Sequence, residues 1–189
     1  MIRILHGEDE YSRSEALAKI RASAGSEEVR DPNTTVFEGR SIKLEEVIGA
    51  SRVVPFMSDR RVVIVYGVLG RIQKRDKSLP VEWGSLGEAL SDLPATTELV
   101  FVEEERLITN GLALKTIGPR ADVQEFRRKR RGELENWVRE RFAHFGTPAS
   151  RDAIARLSWL AGTDTRLLDQ EIKKLSLFTD GREVSVYDV

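Results

Sequence analysis

Apolar residues along the first two thirds of the chain follow two alternating rhythms. Short β-branched or aliphatic runs bounded by turn residues read as strands at Ile2–His6, Thr34–Phe37, Arg61–Tyr66, 98–102 and 121–126. Between them, four groups recur at helical spacing: Ala16, Leu17 and Ile20; Leu44, Val47 and Ile48; Trp83, Leu86 and Leu90; and Leu112, Leu114 and Ile117. Strands that alternate with helices predict a parallel sheet covered on both faces and joined by right-handed crossovers. The polar stretch 71–80, RIQKRDKSLP, ends on a proline and reads as a loop.

After Phe126 the strand rhythm stops. Leu134, Trp137, Val138, Phe142 and Phe145 step by three and four, and Gly146 is placed to end that helix. Ser150 is positioned to N-cap a second helix carrying Ile154, Leu157 and Leu160, which stops at Gly162. Asp164 is positioned to N-cap a third, with Leu168, Ile172 and Leu175. The pattern predicts an α/β domain over 1–126 and a three-helix domain over 127–189. Ser185-x-x-Asp188 has the form of a capping box that opens another helix, so the chain is expected to be cut short of a further domain.

Composition narrows the class. Hydrophobic residues are 40% of the 189 and charged residues 32%, enough apolar surface for a real core. Cys is absent, so disulfides and thiolate metal sites are excluded. The two His, His6 and His144, stand far apart and suggest no site. No signal-peptide core follows Met1, and no apolar run approaches the roughly 18 residues of a membrane span. A cytoplasmic protein is expected. The net charge of −1 conceals an asymmetry: residues 1–126 sum to −4 and residues 127–189 to +3. That excess is modest for a domain whose main task is DNA binding.

Nucleotide chemistry is tested by the turn after the first strand. A phosphate-binding loop needs glycines whose N–H groups cradle the phosphates, a lysine to neutralise them and a hydroxyl for Mg²⁺. Gly7-Glu8-Asp9-Glu10 stands there instead, with three carboxylates and no Lys, Ser or Thr at the required offset. The acids complement the positive end of the following helix. Glu103-Glu104-Glu105 looks like the metal-binding end of an ATPase strand, but it follows the fourth strand. The third ends in Tyr66-Gly67 without an acid. A solvated strand end is the expected role of the three glutamates. No catalytic residue, cofactor or metal ligand is nominated.

Several segments together carry a family resemblance: His6-Gly7-Glu8-Asp9-Glu10-Tyr11 after the first strand; Val54-Pro55-Phe56-Met57-Ser58-Asp59-Arg60-Arg61 before the third; Leu134-x-x-Trp137; and Gly162-x-Asp164-x-Arg166-Leu167-x-x-x-Glu171-x-x-Lys174-Leu175. In order and spacing they resemble the delta subunit of the bacterial DNA polymerase III clamp loader. The resemblance implies an AAA+-like sheet domain without ATPase motifs, followed by a three-helix lid. The family's C-terminal collar domain has no counterpart in this chain. The implied function is to bind and help open the sliding clamp (beta) in DNA replication. The implied partners are the other loader subunits, delta prime and gamma/tau, with DNA contacted weakly or within the complex and no membrane. No enzymatic activity of its own is implied; the chain would serve as a component of the polymerase holoenzyme.

In that family a hydrophobic element at a helix end, just before the third strand, enters a pocket on the clamp. The matching residues are Val53, Val54, Pro55, Phe56 and Met57. Five consecutive apolar residues cannot all face one core, and Pro55 forces an extended turn. On spacing alone, Phe56 and Met57 fit equally well as residues that close the bottom of the sheet. Arg127, Arg128, Lys129, Arg130 and Arg131 form a basic run that suits phosphate contacts. The same run also suits a solvated junction paired with Glu133 and Glu135. Two rival readings stay open: a DNA-binding AAA+-like module and a degenerate AAA+ ATPase.

Overall fold

In the computed structural model, which describes every residue except Arg40, β1 (Ile2–His6) is an inner strand of a sheet. Around it stand β2 (Thr34–Phe37), β3 (Arg61–Tyr66), β4 (Thr97–Glu103) and β5 (Ala121–Glu125). The order is β2-β3-β4-β1-β5, and every pairing is parallel. Residue alternation explains why both faces are covered. Ile2, Ile4, Val63, Val65, Leu99 and Phe101 point into one buried cluster. Their neighbours Leu5, Val62, Ile64, Val100 and Val102 point into the other.

Helix α1 (Glu10–Ala22) supplies Leu17 to the second cluster, followed by the short α2 (Glu27–Arg30). The first cluster is closed by α3 (Leu44–Arg52), α4 (Val68–Gln73), α5 (Leu86–Ala89) and α6 (Leu112–Ile117). Two sequence expectations change here. The stretch 71–80 is not all loop, because α4 carries its first residues. Val68 and Leu69 are fully buried, and burial holds the turn of helix that the polar tail alone would not specify. The helix expected around Trp83, Leu86 and Leu90 is instead a 3₁₀ turn, Val81–Ser85, followed by the four residues of α5. Trp83 is buried and its indole N–H donates to the Ile42 carbonyl at 3.0 Å, which pins this segment before a regular helix can run through Gly84 and Gly87.

The chain divides into two compact units, 1–127 and 128–189. The second consists of α7 (Arg131–His144), α8 (Arg151–Ala161) and α9 (Thr165–Thr179). Leu134, Val138 and Phe142 of α7 pack with Ile154, Leu157, Leu168 and Ile172. The caps sit where the side chains predict them: Ser150 Oγ accepts from Ala153 N, and Asp164 Oδ1 accepts from Leu167 N. Asp188 accepts from Ser185 N at 2.7 Å and from both terminal nitrogens of Arg182. Among the described residues, no helix is long and apolar enough to cross a membrane.

Candidate functional site

Helix α3 ends at Arg52 because Val53 is already extended and Pro55 follows. The carbonyls left open at such an end need partners. Ala50 O accepts from Arg61 Nε at 2.7 Å, and Ser51 O accepts from the Thr97 hydroxyl at 2.7 Å. Arg61, itself buried, also reaches Pro32 O and Thr35 Oγ1. Its neighbour Arg60 pairs with the buried carboxylate of Glu98, which Arg3 holds from the other side at 2.7 Å. The Arg60-Arg61 pair therefore fixes the start of β3 and the end of α3.

Between these anchors the five apolar residues stand out from the surface. Val54 is 81% exposed, Met57 79%, Phe56 58% and Val53 49%, with Pro55 half-buried. Phe56 and Met57 do not close the bottom of the sheet. Met57 takes φ +48°, a left-handed conformation uncommon for a side chain of this kind. A buried residue that the sequence pattern did not single out, Asn33, takes both backbone polar groups of Phe56. Its Oδ1 accepts the Phe56 N–H at 2.7 Å, and its Nδ2 donates to the Phe56 carbonyl at 2.7 Å. An asparagine after a proline in a turn is ordinary, so nothing local marks it.

The turn from β1 to α1 is closed on itself. Gly7 has φ +120°, and a Cβ there would overlap the Phe126 carbonyl, so only glycine fits. Asp9 N donates to Phe126 O at 2.9 Å, and Gly7 N donates to Glu103 O at 3.3 Å. The guanidinium of buried Arg13 donates to the Gly7 carbonyl. The Asp9 carboxylate accepts from Ser12 N and from its hydroxyl, capping α1. The N–H groups of Gly7, Asp9 and Ser12 are thus already engaged within the protein.

Glu103 corrects another expectation. Of the three glutamates, Glu104 and Glu105 are exposed, but Glu103 is buried. Its carboxylate accepts from Leu69 N at 2.7 Å and Gly70 N at 3.0 Å, closing the start of α4. Burial pushes its pKa up to about 7, and the two N–H bonds only partly offset that. Beside it, an open groove of about 580 Å³ carries Arg71 and Lys74. Arg71 is bonded to Asp76 at 2.9 Å and Lys74 to Glu105 at 2.7 Å. His6 is a buried histidine whose Nδ1 accepts from Leu107 N, and desolvation lowers its pKa. Among the described residues, no cluster of three or more His, Cys, Asp or Glu side chains is disposed to hold a metal.

The basic run leads into α7. Arg127, Arg128, Arg130 and Arg131 are exposed and Lys129 is half-buried. Lys129 Nζ lies 5.4 Å from the Trp137 ring centre, and Arg131 approaches Glu135 at 3.6 Å. Arg130 N donates to Glu133 Oε2, so an acid answers the N-terminus of α7 despite the surrounding cations.

Comparison with known proteins agrees with this picture. The family model described as DNA polymerase III, delta subunit matches residues 4–123. The curated DNA polymerase III subunit delta of Bacillus subtilis (strain 168) is 24% identical over 188 residues, covering 97% of this chain and 54% of that protein. The solved Bacillus subtilis DNA clamp loader delta protein superposes with a TM-score of 0.84 at 23% identity, over 100% of this chain and 56% of that one. The Thermotoga maritima RuvB Holliday junction branch migration motor has the same general fold, with a TM-score of 0.55 at 13% identity, covering 98% of this chain and 59% of that one. The chain spans about half the length of the curated relative it matches. With the family model spanning more than half of its residues, the chain belongs to the DNA polymerase III delta-subunit family.

Proposed function

We propose that this chain binds the ring-shaped sliding clamp through Val53, Val54, Pro55, Phe56 and Met57, and so helps to hold the ring open during DNA replication. The observation that carries the reading is the exposure of four of these apolar residues on a turn whose backbone is anchored from below. An aromatic beside a methionine, both in solvent, is the composition of an interface anchor. Opening follows if the turn binds the open ring more tightly than the closed one, because a ligand shifts an equilibrium only by its differential affinity.

The chain hydrolyses no ATP in this proposal. The closed β1–α1 turn, its three carboxylates and the acid-free end of β3 all support that part. Delta prime and gamma/tau subunits would supply the nucleotide step and hold this chain in a cytoplasmic loader. Arg127, Arg128, Lys129, Arg130 and Arg131 would add salt-sensitive phosphate contacts to DNA within that assembly.

A titration of the chain against the β clamp tests the reading beside Phe56→Ala. Loss of a central aromatic anchor should weaken binding by about thirtyfold, the scale of a hot-spot truncation of roughly 2 kcal/mol. Equal binding by both chains overturns the contact. Binding to duplex DNA at physiological salt without binding to clamp would favour the DNA-binding reading instead.

A further inference from the structure

We propose that Asn33 is the positioning residue of the clamp-contact turn: its buried amide presents Phe56 and Met57 to the partner. The inference rests on the clamp reading of Phe56 and adds a second residue to it, 23 positions away in sequence and absent from the apolar run.

The geometry is specific. The Asn33 side chain has no solvent exposure. One amide meets both the N–H and the C=O of Phe56, each at 2.7 Å, which fixes the backbone on either side of that Cα. The same Nδ2 donates to Val29 O at 2.8 Å, tying the turn to the end of α2. Among the described residues, Asn33 supplies the hydrogen bonds that the Phe56 backbone makes, and no loop backbone pairs replace them over 54–58. A second close approach joins the same two segments: a Cβ on Gly25 would meet Val29 Cγ2 at 2.6 Å and Ser58 Oγ at 3.2 Å.

The physical consequence follows from strain and entropy. Met57 holds a left-handed backbone that a non-glycine residue keeps only where its surroundings impose it. Asn33 contributes to that constraint, because the Phe56 carbonyl that it grips belongs to the peptide leading into Met57. Pro55 limits the chain on the other side. With the backbone held, the two exposed side chains cannot fold inward to hide from water. Binding then requires less ordering of the turn, which raises affinity without adding a contact. The side chain must be an amide. An aspartate would keep the bond from Phe56 N but would set a carboxylate against the carbonyls of Phe56 and Val29.

Amide hydrogen exchange and clamp titration of wild type, Asn33→Ala, Asn33→Asp, Phe56→Ala and the double variant Asn33→Ala/Phe56→Ala test this. In Asn33→Ala, exchange at the Phe56 amide should quicken by at least about tenfold while β3 and β4 keep their protection. Clamp affinity should fall about tenfold. In the Phe56→Ala background, Asn33→Ala should change affinity by less than about twofold, because a positioning residue has nothing left to position. Equal losses in both backgrounds, or an unchanged Phe56 amide, overturn the inference. Should Asn33→Ala also lose protection in β3 and β4, Asn33→Asp decides: wild-type affinity in that variant overturns the inference, and weakened affinity with intact strands upholds it. If Phe56→Ala itself binds the clamp normally, the clamp reading fails, and the exchange at Phe56 still judges Asn33.

Discussion

Glu103 turns its carboxylate from the end of β4 onto the first N–H groups of α4, and that placement gives one residue control over a pH response. Gly70 lets it approach, since a Cβ there would lie 2.9 Å from Oε2. Desolvation raises the pKa to about 7 from 4.5. The N–H groups of Gly70 and Leu69 and the charge of Arg13 lower it in part, and Glu104 raises it further. The folded state therefore binds the proton more tightly than the unfolded chain. Stability from this group is fully present below about pH 4.5 and is lost as pH rises through about 7. The whole loss is roughly 3 kcal/mol. His6 acts in the opposite sense, because its lowered pKa favours the folded state as pH rises. Urea midpoints at pH 5, 6, 7 and 8 should show wild type losing stability relative to Glu103→Gln across that range, with the His6 contribution common to both. Parallel profiles would show that Glu103 does not titrate in this window.

At the scale of elements, the β1–α1 turn bears on the nucleotide question. In an ATP-binding sheet this turn is open and its N–H groups point at phosphate. Here Asp9 N is bonded to Phe126 O, Ser12 N to the Asp9 carboxylate, and the Gly7 carbonyl to Arg13. A phosphate would have to displace these bonds and then meet Glu8, Asp9 and Glu10. Calorimetric titration with Mg·ATP to about 1 mM should give no saturable heat, a free energy weaker than about −4 kcal/mol. Micromolar binding that disappears in a Glu8 or Glu103 variant would restore the ATPase reading. The contact turn after α3 is the contrasting case. The last carbonyls of α3 are anchored by Arg61 and Thr97 and the Phe56 backbone by Asn33, while the apolar side chains of the turn stay outside. One connection in this fold has been sealed and another held out.

For the molecule as a whole, the buried clusters respect the division of the chain. Both sheet clusters draw only on residues within 1–127, and the helical cluster only on 128–189. A unit with its own closed core is expected to fold by itself. Residues 1–127 alone should give a dispersed amide spectrum with protected β1, β3 and β4; a collapsed spectrum without protection would show that the sheet depends on the helices.

A change of period after Phe126 was legible in the sequence, because strands and helices announce themselves by their spacing. The caps at Ser150 and Asp164 and the apolar run at 53–57 were legible for the same reason: each depends on residues within one turn of chain. Trp83 was not, since its place depends on the Ile42 carbonyl, 41 residues earlier. Nor was the burial of Glu103, which needs α4 beside β4, or the closure of Gly7 by Phe126, which needs β5 beside β1. Asn33 belongs with these. The sequence by itself determined that five apolar residues follow a helix end at a proline turn, and it left open whether Phe56 and Met57 close the sheet or stand in solvent. Only the tertiary structure decided that one buried amide would hold them there, because that hydrogen-bond pair exists only once the segments carrying Asn33 and Phe56 have been brought together by the sheet.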